Sequence, residues 1–193
     1  MSDTAVRRAE LIVGTIARTA VENEKYFCDL DAVAGDGDFG YSLARGFENV
    51  ISGWDELEYE DAGGLLKKTA IILTKRIGGT SGPIWGTAFL RAGGSLAGKA
   101  DPTGADVVEA MRAAIEGIKQ RGNTDLGDKT LLDALVPATD TLEANLGEGT
   151  ATALERAAAT ARALPDAALS NWAPGLSMLS MRHEVQHGRL YRS

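Results

Sequence analysis

Leu30-Asp31-Ala32-Val33-Ala34-Gly35-Asp36-Gly37-Asp38-Phe39-Gly40 carries three aspartates within eight positions, with glycines between and beside them. Glycine lets a backbone turn tightly enough for such carboxylates to converge on one point. Their mutual repulsion makes that arrangement costly unless a cation neutralises it. Mg²⁺ takes carboxylate oxygens and usually keeps open positions for waters and substrate phosphates. The segment therefore reads as a metal site at Asp31, Asp36 and Asp38 serving a phosphorylated ligand. An Asx-turn cluster, in which aspartates bond nearby amides, is the plain alternative, and the triplet alone does not separate the two.

Two more segments favour the metal reading. Ile77-Gly78-Gly79-Thr80-Ser81-Gly82-Pro83 sets glycines and two hydroxyls before a helix-like stretch, with Pro83 suited to the first helical turn. Exposed amides at a helix N-terminus attract phosphate oxygens. Gly122-Asn123-Thr124-Asp125-Leu126-Gly127-Asp128-Lys129-Thr130 also opens onto an apolar, helix-like run. A Walker A loop would need lysine directly after its second glycine, where Asp128 intervenes, and no strand-like segment precedes it, which argues against a P-loop NTPase.

Three blocks together resemble a known family. They are Gly35–Gly40 with Ala44-Arg45-Gly46-Phe47, Gly78–Pro83 with Gly86-Thr87-Ala88-Phe89-Leu90-Arg91-Ala92-Gly93, and Gly127–Pro137. In order and spacing, over about residues 8–160, they are similar to the nucleotide-binding L subunit or domain of dihydroxyacetone kinases, the DhaL family. The resemblance implies an all-α fold, a barrel or bundle of about eight antiparallel helices forming a single domain over residues 1–193. It implies ADP or ATP at one end, with two Mg²⁺ ions held by Asp31, Asp36 and Asp38. Phe39, Gly40, Tyr41 and Ser42 match positions beside the phosphates, as do Thr80 and Ser81, while Gly122 and Leu131 match positions near the nucleoside. Arg45, Asp128, Lys129 and Asp133 are expected to form a structural network of ion pairs and caps. The family's L component does not hold dihydroxyacetone itself, so a K-type partner subunit is implied. The phosphoryl source is either exchangeable ATP or a phosphotransferase-system protein that recharges bound ADP. The resemblance leaves both open, as it does a homodimer.

The chain departs from the family pattern twice. Phe39 replaces a histidine and cannot donate a hydrogen bond to phosphate. Near the C-terminus, where the family has a nucleotide-covering lid with an arginine, Gly175 and His187 keep their separation. Leu176 stands in the arginine's place, and Arg189-Leu190-Tyr191 replaces Asp-Pro-Gly, so residues 165–193 diverge. A transition-state arginine is worth about 10³-fold or more in phosphoryl transfer. A non-catalytic, nucleotide-binding relative of the same fold is therefore the alternative to a kinase component.

Composition narrows the partners. The 193 residues have a net charge of −7, with 27 acidic against 20 basic side chains and no basic stripe. Nucleic acid is excluded as a partner on that count. Cys28 is the single cysteine, which precludes an intrachain disulfide, suits a reducing compartment and reads as a small core residue. The apolar run after Arg7 and Arg8 is broken by Arg18 before it reaches membrane or secretory length, so the expectation is a cytoplasmic protein without a membrane span.

Periodicity predicts one amphipathic helix over 4–26, with Leu11, Ile12, Ile16, Ala20 and Val21 at helical spacing. Further helices are predicted over 40–53, 62–77, 83–98, 103–120, 129–146 and 149–163. Pro137 falls inside the sixth of these later and earlier runs taken together, where it should bend the helix. Alanines from 151 to 168 suit close helix packing. Trp172, Met178, Leu179 and Met181 read as the buried face of a last helix. His183-Glu184-Val185-Gln186-His187 formally matches the HExxH zinc-peptidase pattern. It holds the chain's only histidines, so a third protein ligand would have to be a carboxylate, and surface histidines explain it at less cost.

Overall fold

A computed structural model of the chain describes residues 3–33 and 35–163. Within them the chain forms eight α-helices: α1 (Asp3–Glu22), α2 (Glu24–Asp31), α3 (Phe39–Ser52), α4 (Ala62–Arg76), α5 (Ser81–Leu96), α6 (Gly104–Gly122), α7 (Leu131–Asn145) and α8 (Thr150–Arg162). Short 3₁₀ turns at Trp54–Glu56 and Leu146–Glu148 complete the described elements. The all-α expectation holds. The lid positions Gly175, Leu176 and Arg189, the HEVQH segment, and the last predicted helix with Trp172 and Met178 lie outside the described residues.

Helix starts follow local chemistry. Thr103 caps α6 and Thr130 caps α7, each in a box closed by the aspartate three residues on, Asp106 and Asp133. Asp61 caps α4 through the Gly64 amide at 2.6 Å and also accepts the Gly98 amide at 2.7 Å. These amides, Gly98 first, hold its carboxyl below the usual carboxylate range. Pro137 stays inside α7.

From α2 onward, successive helices run antiparallel. Gly63 at the start of α4 faces Gly93 and Ala97 in the last turn and cap of α5, and Gly117 of α6 faces Thr87 and Arg91 of α5. Gly104 at the start of α6 meets Leu146 just past α7, and the Thr141 and Thr160 hydroxyls of α7 and α8 bond at 3.0 Å. α3 packs on α1, α2 and α4, and from α4 onward each helix packs on the next. This alternation collects the connections 31–39, 77–81 and 122–131 at one end of the bundle.

Val13, Ala17, Leu43, Phe47, Val50, Leu65, Leu73, Ile77 and Phe89 join α1, α3, α4 and α5 in the main core. A second cluster joins Val108, Ala138, Leu142, Ala153 and Ala157, the alanines of α8 fitting as their small size predicts. The start of the chain corrects the predicted pattern in two ways. Asn23 interrupts the single helix predicted over 4–26, its side-chain amide bonding the Thr19 carbonyl, and a separate α2 carries the chain on to Asp31. Of the predicted face of α1, Ala20 is buried and Ile16 and Val21 pack against the core, but Leu11 and Ile12 are 65% and 54% exposed, and Ala9, Val13 and Ala17 are buried instead. Small residues win there because α1 lies close against α3 and α4, and periodicity alone registers the larger side chains first.

Between α3 and α4 the chain is tied back to α1 by Tyr59, whose hydroxyl donates to Glu10 Oε1 at 2.5 Å. Burial and, after it, the Glu10 carboxylate push the Tyr59 phenol up to about 12. A raised folded-state pKa contributes stability that is complete below the unfolded value near 10 and is lost as pH rises through about 12. Ultraviolet titration should therefore find one tyrosine ionising near pH 12, absent in Tyr59→Phe, and wild type should lose its stability margin over that variant between about pH 10 and 12.

Candidate metal centre and phosphate loops

Asp31 is the last residue of α2 and Asp38 immediately precedes α3, with Asp36 on the bend between them. The bend needs Gly37, whose φ of 78° lies in the left-handed region. Asp31 Oδ2 accepts the Gly37 amide at 2.9 Å and the Phe39 amide at 3.3 Å, and Asp36 Oδ1 accepts the Asp38 amide at 3.4 Å. The Asx-type bonds therefore exist, yet they leave the carboxylates gathered: one oxygen each of Asp31, Asp36 and Asp38 lies within 4.8 Å of the others. Asp31 is half-buried and the other two are exposed. Repulsion from Asp36, followed by desolvation and a bond to Asp36, pushes the Asp38 carboxyl above its ordinary value. An all-oxygen, anionic donor set open to solvent fits a hard divalent cation that keeps positions for other ligands.

The predicted phosphate positions gather beside it. Phe39, Gly40, Tyr41 and Ser42 form the first turn of α3, and Ser42 Oγ lies next to Gly78. Thr80 precedes α5 and Ser81 opens it, with Pro83 in the first turn as expected. Neither Asp38 nor Thr80 makes a side-chain cap, in contrast to Asp61, Thr103 and Thr130. In α3 the Phe39 and Tyr41 amides are taken by Asp31 and Cys28, so the Gly40 amide and the first amides of α5 are left for other acceptors, at the positive ends of two helix dipoles. Gly122 ends α6 against Ile84 of α5, and Leu131 opens α7 with a partly exposed side chain. The adjacent Leu132 is buried with Ile115, Ile118 and Ile84, so α5, α6 and α7 present these loops together.

The charged residues expected to be structural mostly are. Asp133 accepts the Gly127 and Thr130 amides at 2.7 Å each, Asp128 accepts the Asp125 amide at 2.8 Å, and Lys119 pairs with Asp125 at 2.6 Å. Arg45 bridges Glu24 and Glu48 at 2.8 and 2.7 Å. Lys129 differs, holding a left-handed backbone at φ 59° that only a turn this tightly bonded supports. Phe39 does not reach toward the loops as a polar side chain would; its ring packs on Phe27 at 6.3 Å. Cys28 is half-buried and accepts the Tyr41 amide at 3.2 Å. Sequence reasoning missed α2 itself and hence Asp31's place on a helix end; Asn23 was the available signal.

Fold and site define a helical bundle with a carboxylate triad beside two uncapped helix N-termini. The chain belongs to the DAK2 domain family, whose model matches residues 33–169. It is 36% identical over 126 residues to the ADP-binding subunit DhaL of PEP-dependent dihydroxyacetone kinase 2 from Listeria innocua, covering 64% of this chain and 58% of that protein. To the corresponding subunit from Escherichia coli it is 34% identical, over 61% of this chain and 56% of the relative. The chain thus spans somewhat more than half the length of these relatives. The crystal structure of the dihydroxyacetone kinase from C. freundii in complex with AMP-PNP and Mg²⁺ superposes with a TM-score of 0.65 at 28% identity, over 84% of this chain and 30% of that one. The zinc-peptidase alternative finds no support in this family.

Proposed function

We propose that the chain is a single Mg²⁺-nucleotide-binding domain acting as the L component of a kinase for dihydroxyacetone or a similar small ketose held on a K-type partner subunit. The observation that carries this reading is the convergence of Asp31, Asp36 and Asp38 within 4.8 Å beside the uncapped starts of α3 and α5, in a chain of the DAK2 family. Asp31, Asp36 and Asp38 would hold the Mg²⁺, two ions on the family pattern, and bound Mg²⁺ offsets charge on the phosphates as a phosphoryl group leaves. The Gly40 amide, the Tyr41 and Ser42 hydroxyls and the Thr80–Ser81 step offer donors to phosphate oxygens. Gly122 and Leu131 border the nucleoside, a small residue and an apolar one leaving room for a flat base. The donor is ATP or a phosphotransferase-system protein acting on bound ADP. No described helix is long and apolar enough to cross a membrane, and we place the reaction in the cytoplasm.

One observation favours a second reading. The Phe39 ring, packed on Phe27 where the family has a histidine, supplies no hydrogen bond to phosphate, and this suits a relative that binds nucleotide without transferring phosphate. Calorimetry separates binding from its absence: ADP and AMP-PNP should bind at least about tenfold more tightly with Mg²⁺ than with EDTA, an outer-shell-sized effect or more. Equal affinity in both buffers would overturn the metal-dependent reading. Turnover of dihydroxyacetone, with a K-type subunit and either donor supplied, then decides between kinase component and binding relative.

A further inference from the structure

α2 places one of the three carboxylates, yet it has little to hold it. It is eight residues long with no fully buried side chain, and a helix of that length is marginal by itself in water. Besides the Phe27 ring, which packs on Phe39 at 6.3 Å and against the main core, its position is set by rungs to α3, which runs antiparallel to it. Asp31 at one end receives the Gly37 and Phe39 amides. One turn further, Cys28 Sγ accepts the Tyr41 amide. One turn beyond that, Glu24 pairs with Arg45 at 2.8 Å. Glu24, Cys28 and Asp31 share one face of α2, as Tyr41 and Arg45 share one face of α3.

The helices are as close as their backbones allow. A Cβ on Gly40 would come within 2.6 Å of the Cys28 nitrogen and nearer still to the Glu24 carbonyl oxygen. Arg45 is fixed on its own side as well: Glu48 holds the guanidinium at 2.7 Å, and Cζ stands 5.2 Å from the centre of the Tyr41 ring. Its Nε is buried and makes no hydrogen bond, a cost accepted where the rest of the group is committed.

We infer that Arg45 is a positioning residue for the carboxylate triad, clamping α2 through Glu24 so that Asp31 stays in reach of Asp36 and Asp38. The Glu24 bridge lies seven residues from Asp31 on α2, about 10 Å along the axis. Arg45 therefore acts on the Asp31 carboxylate through α2 without touching any ligand. A half-exposed ion pair ordinarily contributes little to global stability. Here the pair governs one short helix, so its loss falls on the site more than on the fold. The inference rests on the metal reading above for its consequence, and on α2 alone for its mechanism.

The test uses the full chain with Arg45→Met, which keeps the stem and removes the charge, Glu24→Gln, and Arg45→Lys. Mn²⁺ affinity by titration and amide hydrogen exchange of α2 without metal are measured on each. Arg45→Met and Glu24→Gln should each weaken Mn²⁺ binding about tenfold, the scale of an outer-shell partner, and speed exchange at the Cys28–Asp31 amides by a similar factor. Arg45→Lys should recover most of both, and the double variant Arg45→Met/Glu24→Gln should be no worse than either single one. Unchanged α2 exchange in Arg45→Met overturns the inference, as does a loss of affinity in Arg45→Met that Arg45→Lys fails to recover. Wild type that takes no Mn²⁺ while the exchange differences appear overturns the metal reading and upholds the clamp.

Discussion

Asp36→Ala is expected to bind Mg²⁺–ADP about a hundredfold or more weakly than wild type, exceeding the ~10- to 100-fold that loss of an outer-shell partner costs a metal site. Asp36 is the informative member of the triad because it does least for the fold. It is exposed, and the one amide it accepts among the described residues is that of Asp38, at a long 3.4 Å. Asp31, by contrast, orders the Gly37 and Phe39 amides, so its replacement mixes lost coordination with a disordered bend. Thermal stability of metal-free Asp36→Ala should match or exceed that of wild type. The direction follows from Asp38, whose carboxyl is raised chiefly by repulsion from Asp36. A raised carboxyl adds stability only while protonated, an advantage complete below the usual carboxylate value and lost as pH rises through the folded one. At neutral pH the pair therefore opposes folding, and removing Asp36 relieves it. Calorimetry for the nucleotide and a melting curve in EDTA check both halves. Unaltered affinity, or a large fall in melting temperature, would show that Asp36 is a structural residue.

Gly63→Val should damage the fold severely. A Cβ at residue 63 would stand 2.5 Å from the Gly93 carbonyl oxygen, 2.6 Å from the Ala97 nitrogen and 2.7 Å from the Ala97 Cα. All three are backbone atoms, so no side chain can rotate away, and α4 must move off α5. Overpacking of a well-packed contact costs about 1–3 kcal/mol, more when main chain must shift. For a chain of this size about 3 kcal/mol corresponds to a fall of roughly 6–12 °C in melting temperature. Gly94, beside it on α5, has open space where a Cβ would go, and Gly94→Ala should be neutral or slightly stabilising in the same experiment.

Most helices were legible because their starts carry caps and their apolar residues recur at the right interval. Thr103 with Asp106 and Thr130 with Asp133 state their helix starts in four residues each. The predicted bounds of the six runs after the first fall within a few residues of those observed. The break at Asn23 was less legible, since the residues on either side continue a helical pattern and only the cap geometry separates them. The face of α1 was misread for a different reason: closeness of approach, which selects Ala9 and Ala17 over Leu11, depends on partners far along the chain. At the site, the aspartates and glycine loops were readable as residue types, and their convergence needed the fold. The dependence of Asp31 on Glu24 and Arg45 was not readable at all, because it passes through a contact 21 residues apart between two helix faces.

The stacking of each helix from α2 onward on the next one in sequence bears on how the molecule is made. Contacts among segments close in the chain carry a low loop-closure cost, and helical proteins of this kind fold on the microsecond-to-millisecond scale. The carboxylate triad is local in the extreme, all of it between residues 31 and 38 at the junction of one helix pair. The loops at 80 and 122–131 reach it only after α4 through α7 have assembled behind them. During synthesis from the N-terminus, α1, α2 and α3 are therefore complete while the other half of the site is still unmade, and the acidic bend is the first piece of it to take shape.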